Sequence, residues 1–365
     1  EETTYDPSVS AERRLALADR SIEIAREHGD PAVLADVLLR AARTRLVPDR
    51  AASAPPVMAE AVALADEVGD PFLAAMTRIF ANAACLGVGD IVGARRYMLE
   101  GRELARTDCP PAVVAATLAN CVQYHLYDGE LEEATALNDR FLAQALEMGM
   151  VDAEQWWAAN TLAITYVQGT AGDLADAAGD FADRYPDAAA WRCTHAFLLT
   201  EAGRLDEARD VVDRYDLRRP ERFPVNDFSL LSQTYLGYVA LGTGDRELGR
   251  ATEAVLRPHA ELWANVDIFT NGPISVMLAG AVGAQGRYDE ADELYARADA
   301  LLDERGLQLV RNPTAWYRAF SLLQSDRADH RERAAEVIRE AVARTSAAGL
   351  DRLTARFEEL SGSAG

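Results

Sequence analysis

Five histidines and four cysteines are the side chains of this sequence best suited to bind a metal or act as nucleophiles, and their spacing supports neither. His28, His125, His195, His259 and His330 lie far apart, and none has a second ligand at metal-binding spacing. Cys85, Cys109, Cys121 and Cys193 form no CxxC pair. Three of them sit in apolar stretches of helical period, where a thiol behaves as a small hydrophobe and a reducing compartment suits it. No GxSxG elbow occurs. The glycines of Gly242-Thr-Gly244-Asp-Arg-Glu-Leu-Gly249 faintly resemble a phosphate loop, but no strand precedes them and no lysine follows. The chain contains no lysine at all, which removes both the P-loop cation and Schiff-base chemistry.

Carboxylates are abundant, and most read as solvated helix faces or turns, as in Asp289-Glu290. A pair of acids joined by the fold is the remaining catalytic route. An all-α glycosidase would be an example, but it would need more sugar-stacking rings than 7% aromatics supply. The sequence therefore predicts no enzyme activity, no cofactor and no bound metal.

The residues left are suited to recognition. Gln123, Tyr127, Tyr166, Phe197, Glu201, Thr234 and Tyr238 fall at inward positions of successive helices, with Trp157 and Trp191 near the starts of two of them. An apolar, aromatic groove with a few polar groups is what a small-molecule or peptide site requires. The segments 265–271 and 312–317 are candidates on the same terms. Any one of these residues has a competing role in packing between repeats.

The elements that must position them announce themselves as a repeat. A glycine, a few polar residues and then an alanine opening an apolar helix recur at Gly89, Gly129, Gly172, Gly203 and Gly286, with a looser copy at Gly244. The successive spacings are 40, 43, 31, 41 and 42. A period near forty that carries its own turn and helix start marks a helical repeat array. A second phrase, Gly29-Asp30-Pro31 and Gly69-Asp70-Pro71, supplies a helix end, a cap and a first-turn proline. Between joints the apolar residues recur at three and four, as in Leu15, Ala18, Ile22 and Ala25.

This periodicity predicts helices near 10–28, 31–46, 54–68, 71–87, 90–106, 111–127, 130–148, 152–168, 173–184, 187–201, 204–215, 226–242, 245–263, 273–284, 287–305, 314–324 and 330–347, with a short closing helix near 350–360. They make about eight pairs in one domain, 10–360, between a polar segment 1–9 and a flexible tail 361–365. Pro258 should kink or end its helix. The short interval before Gly203 implies a clipped pair, and 218–224 is the best place for an irregularity.

The net charge of −22 repels phosphate backbones and anionic membranes, so neither nucleic acid nor a membrane is an expected partner. No apolar run long enough to span a bilayer and no signal-peptide pattern is seen, which predicts a cytoplasmic protein. The absent initiator methionine predicts a piece of a longer polypeptide.

The copy around Gly286, with Tyr288, Ala291, Tyr295 and Ala298, resembles a tetratricopeptide repeat, as does Leu236-Gly237 in the preceding pair. Two longer stretches, Arg184-Tyr185-Pro186 through Trp191 to Ala208 and Gly272-Pro273 through Ala291, resemble the C-terminal, MalT-like repeat region of large actinobacterial signalling ATPases of the STAND type. These are LuxR-type transcriptional regulators or cyclase-linked ATPases. The resemblance implies an all-α, right-handed superhelical solenoid that senses a small molecule or protein on its concave face. It also implies control of an N-terminal ATPase domain of the same polypeptide, with a transcriptional or cyclase output. An assembly scaffold, including self-association through end repeats into a homo-oligomer, is the alternative reading.

Overall fold

The computed structural model describes residues 10–106, 109–186, 188–223, 229–265 and 270–362. Among them stand eighteen α-helices and one two-stranded hairpin, so the chain is an all-α helical solenoid. The helices are α1 Ala11–His28, α2 Pro31–Arg43, α3 Ala54–Val68, α4 Pro71–Gly87, α5 Ile91–Ala105, α6 Pro111–Tyr127, α7 Leu131–Glu147, α8 Ala153–Gln168 and α9 Ala175–Arg184. They continue as α10 Ala189–Glu201, α11 Leu205–Arg214, α12 Ser229–Thr243, α13 Arg246–Leu256, α14 Ile274–Gly283, α15 Tyr288–Glu304, α16 Gln308–Leu323, α17 Ala328–Ala347 and α18 Asp351–Gly362. Strands β1 Trp263–Asn265 and β2 Thr270–Pro273 pair antiparallel between α13 and α14. No described helix is long and apolar enough to cross a membrane.

The joints form as their residue types dictate. Gly29 takes the left-handed φ of 77°, and the Asp30 carboxylate accepts from the Ala32 N–H at 2.9 Å and the Val33 N–H at 3.3 Å. Asp70, Asp90 and Asp245 cap α4, α5 and α13 in the same way. In two later copies arginine replaces the capping acid and ties neighbouring repeats instead. Arg204 reaches Asp176 at 2.7 Å, and Arg287 reaches Glu253 at 2.7 Å.

Consecutive helices pack on one another, α8 meeting α9 and α10 through the 3₁₀ turn Ala171–Leu174, and first helices of neighbouring pairs stack in an inner layer, as α10 does on α12 and α12 on α14. One close approach is between α12 and α14. A Cβ on Gly237 would overlap the Met277 carbonyl oxygen, and one on Gly280 would lie 2.8 Å from the Gly237 oxygen. Only glycine permits that spacing. The array then turns back on itself. α16 packs against α6 and α8, α18 packs against α8, and β1 packs against α4 and α12. Two apolar cores result: one within residues 22–84 and a larger one running from Ala75 to Leu360.

Four expectations need correction. The helix expected over 245–263 ends at Leu256, because Pro258 has no N–H to donate and cannot continue the ladder; a 3₁₀ turn and β1 follow. The helix expected from 314 begins at Gln308 and carries Pro313 inside, the lost hydrogen bond being offset by burial of Leu309, Val310 and Thr314. The stretch 43–54 adds a 3₁₀ turn at Pro48–Ser53 where the helix was expected to run to 46. The closing helix extends to Gly362. The clipped pair before Gly203 is present as the ten-residue α9 and the thirteen-residue α10. The polar segment 1–9, the tail from 363 and positions 187, 224–228 and 266–269 lie outside the described residues.

Candidate recognition site

Residues four apart on a helix share a face. α10 therefore presents Phe197 and Glu201 together, α12 presents Thr234 and Tyr238, and α8 adds Tyr166. The fold brings these to one centre and joins them to residues from far along the chain. Tyr317 of α16 stacks on Tyr238 with centroids 3.8 Å apart. The Tyr166 hydroxyl donates to that of Tyr238 at 3.0 Å, and Phe197 stacks on Tyr235 at 4.7 Å.

At the edge of the rings stands Glu201, whose side chain is 3% exposed. It accepts from the Tyr317 hydroxyl and from the Arg356 guanidinium at 2.9 Å. The Arg356 guanidinium in turn lies 4.5 Å from the centre of the Trp316 ring. Burial pushes the Tyr166, Tyr238 and Tyr317 hydroxyls well above their ordinary pKa, and the Glu201 charge pushes Tyr317 further. They stay protonated, Tyr166 and Tyr317 as hydrogen-bond donors, and none serves as a base. Burial works against the charge on Arg356, but Glu201 outweighs it and holds the guanidinium more firmly protonated.

Gln123 and Tyr127 sit in an adjoining group organised by the hairpin. The Tyr127 hydroxyl donates to Gln123 Oε1 at 3.0 Å and accepts from the Thr270 N–H at 3.2 Å. Asn271 Nδ2 donates to the Tyr235 hydroxyl at 3.1 Å, which links this group to the ring cluster. Asn265 Nδ2 reaches back to the Ala83 carbonyl at 2.9 Å.

Seven of the nine sequence-derived residues (Gln123, Tyr127, Tyr166, Phe197, Glu201, Thr234 and Tyr238) thus occupy the interior. Trp157 and Trp191 lie apart from it. Trp157 Nε1 donates to Asp139 at 3.1 Å, and Trp191 donates to Gln155 at 2.9 Å while packing on Phe181. The expected open concave groove is not what forms. The inward residues are buried against one another, against the hairpin and beneath α16 and α18, because the superhelix winds tightly enough to fill its own axis.

Asn271 came from the candidate segment 265–271 and Trp316 and Tyr317 from 312–317, whereas sequence reasoning missed Tyr235 and Arg356. Arg356 left a signal: it interrupts the otherwise apolar face Leu353, Phe357, Leu360 of the last helix. Among the described residues, no group of three His, Cys, Asp or Glu side chains could hold a metal ion. The arrangement has one clear chemical capacity. A buried carboxylate, a tyrosine hydroxyl and an indole face together suit a planar cation.

No protein-family model matches the chain, and no curated protein does. Among solved structures it is similar to one described as a "Circular tandem repeat protein with novel repeat topology and enhanced subunit contact surfaces". The identity is 15% over 96% of this chain and 88% of that one, with a TM-score of 0.17. At that score the two backbones do not superpose as wholes, and the fold stands on its own helices.

Proposed function

We propose that the chain is a non-catalytic protein-interaction domain of a cytoplasmic regulatory polypeptide, acting on an attached ATPase with a transcriptional or cyclase output. The supporting observation is the occupied interior. The inward tyrosines, Gln123 and Glu201 are already satisfied by partners in the chain, so they serve as an internal brace whose state an interacting protein can bias. Helical-repeat folds present long continuous surfaces of the kind that hold protein segments. The net charge of −22 favours a basic or neutral partner.

The test is ATP turnover by the parent polypeptide with and without residues 10–360. Removal is expected to change the rate. An identical rate, or substrate turnover by the purified chain alone, would overturn the reading. A second reading, a small-molecule sensor, draws support from Asn160 Oδ1, Tyr295 Oη and Ser321 Oγ, buried polar atoms without a hydrogen-bond partner that a polar ligand would satisfy. A metabolite that raises the melting temperature of the isolated chain would favour it.

A further inference from the structure

Helix α18 is seated on the rest of the chain as an amphipathic peptide would be. Leu353, Arg356, Phe357 and Leu360 follow the spacing of a helix read by a groove, and its three apolar members are buried. Leu353 rests where the chain leaves α8: a Cβ on Gly169 would come within 3.0 Å of Leu353 Cα, so the joint is bare where the helix lies. Arg356 is the one charged anchor on that face.

Its receptor is built by other elements. Glu201 is the last residue of α10, where the helix dipole is already negative, and it is almost wholly withdrawn from water. A carboxylate so placed requires a cation. Tyr317 donates to one of its oxygens, the arginine takes the other, and Trp316 offers its ring face to the guanidinium. The planar, weakly hydrated guanidinium fits this setting better than an ammonium. The cation arrives from 155 residues along the chain, on an element joined to α17 by Gly349 with a left-handed φ of 70°. The Trp316 Nε1–H, buried in the same wall, has no hydrogen-bond partner, so α18 leaves one donor of the site unused.

We propose that α18 is a cis-acting occupant of a guanidinium-reading groove, displaced in trans by a partner's amphipathic helix that carries an arginine among apolar residues at the same spacing. The inference rests on the protein-interaction reading above and names its partner class. Displacement uncovers Glu201, Trp316 and Tyr317 and loosens the ring cluster behind them, which gives binding a route into the brace.

The experiment titrates a fluorescein-labelled peptide of residues 349–362 against the full chain by fluorescence polarisation, comparing wild type with Arg356→Lys and Arg356→Ala. Hydrogen exchange of α18 is read on the same proteins. Weakening the cis occupant removes its competition, so the peptide is expected to bind the Arg356→Ala chain about ten-fold more tightly than wild type. A peptide with lysine at the arginine position should lose most of that gain. In both variants α18 should exchange faster, and the milder Arg356→Lys preserves the comparison if the alanine chain folds poorly.

Faster α18 exchange without tighter peptide binding would overturn the groove. Unchanged α18 exchange in both variants would overturn the latch. Free arginine competing as well as the peptide would replace the helical partner with a small cation and overturn the proposal. None of these outcomes touches the ATP-turnover test, so the protein-interaction reading fails or survives separately.

Discussion

Helices α1 to α5 and the helices from α6 onward follow different rules of contact. In the first group the helices meet near neighbours, with α4 also taking the hairpin strand β1, the core within residues 22–84 is largely alanine and leucine, and the joints repeat one phrase. In the second group the decisive pairs are distant in sequence: Tyr166 with Tyr238, Tyr317 with Glu201, Arg356 with Glu201, and Asn265 reaching α4. A plain solenoid is close to a sum of its repeats and their interfaces. An interlocked one has a centre that no single repeat completes. The first region should therefore tolerate local change, whereas the second should transmit it.

The largest break in this contrast is expected at Glu201. Glu201→Ala strands Arg356 and Tyr317 in a buried setting and should cost about 3–5 kcal/mol in urea unfolding. Glu60→Ala removes an exposed pair with Arg26, 2.8 Å apart on the first region, and should cost under about 1 kcal/mol. Equal losses at the two sites would erase the distinction.

Glycines give the next comparison. Gly237→Ala forces a methyl into the Met277 carbonyl where α12 and α14 meet, and about 2–3 kcal/mol should be lost. Gly87, at the end of α4, has nothing within 4 Å of an added Cβ, so Gly87→Ala should be neutral or stabilise by up to about 1 kcal/mol. Thermal melts of the two variants decide this.

Acid should act first on the interlocked region. Burial alone would raise the Asp245 carboxyl, but the Leu248 N–H and Arg218 outweigh it and hold it below its ordinary value. Glu253 is likewise held low by Gln285, Arg287 and Arg257 against burial. His330, Arg333 and Arg327 hold Asp289 low. Groups whose folded pKa is depressed add stability that is present above about pH 4 and lost as the pH falls through their folded values. All five tryptophans lie within 156–316, so their emission reports chiefly this region, with Trp263 seated against the Gly89 joint of the first. Emission should begin to change as the pH falls below about 4, where those carboxylates start to lose their contribution, while much of the helical circular dichroism remains. Coincident transitions would contradict the contrast.

The smallest effect is one of reactivity. Burial raises the Cys121 thiol to about 11 and pushes Cys193 up as well, whereas Cys109, in the connection between the regions, is half-buried. A thiol reagent at pH 8 should label Cys109 first and reach Cys121 and Cys193 only through opening of the fold. Early labelling of Cys193 would show that the centre breathes.

The first region was the more legible in sequence, for a physical reason. A glycine at a helix end, an aspartate cap and a first-turn proline act within a few residues, so Gly29-Asp30-Pro31 states its structure locally. The inward faces were legible too, since helical period alone places Phe197 with Glu201 and Thr234 with Tyr238. Closure of the axis was not. It depends on pairs 72 to 182 residues apart, such as Tyr166–Tyr238 and Asn265–Ala83, and such pairs leave no periodic trace. The hairpin Trp263–Pro273 was hidden for a related reason: its strands hold their place through Tyr127, Tyr235 and Ala83, not through strong β patterning of their own. Pro313 misled because tertiary burial overrides a local breaker.

The distance from Glu201 to Arg356 also sets a timetable. During synthesis the carboxylate leaves the ribosome 155 residues before its cation does. At ordinary elongation speed that is a wait of roughly 8–30 seconds. The early repeats can assemble as they emerge, but the middle of the molecule must be held ajar, its rings uncovered, until translation has passed the closing helix.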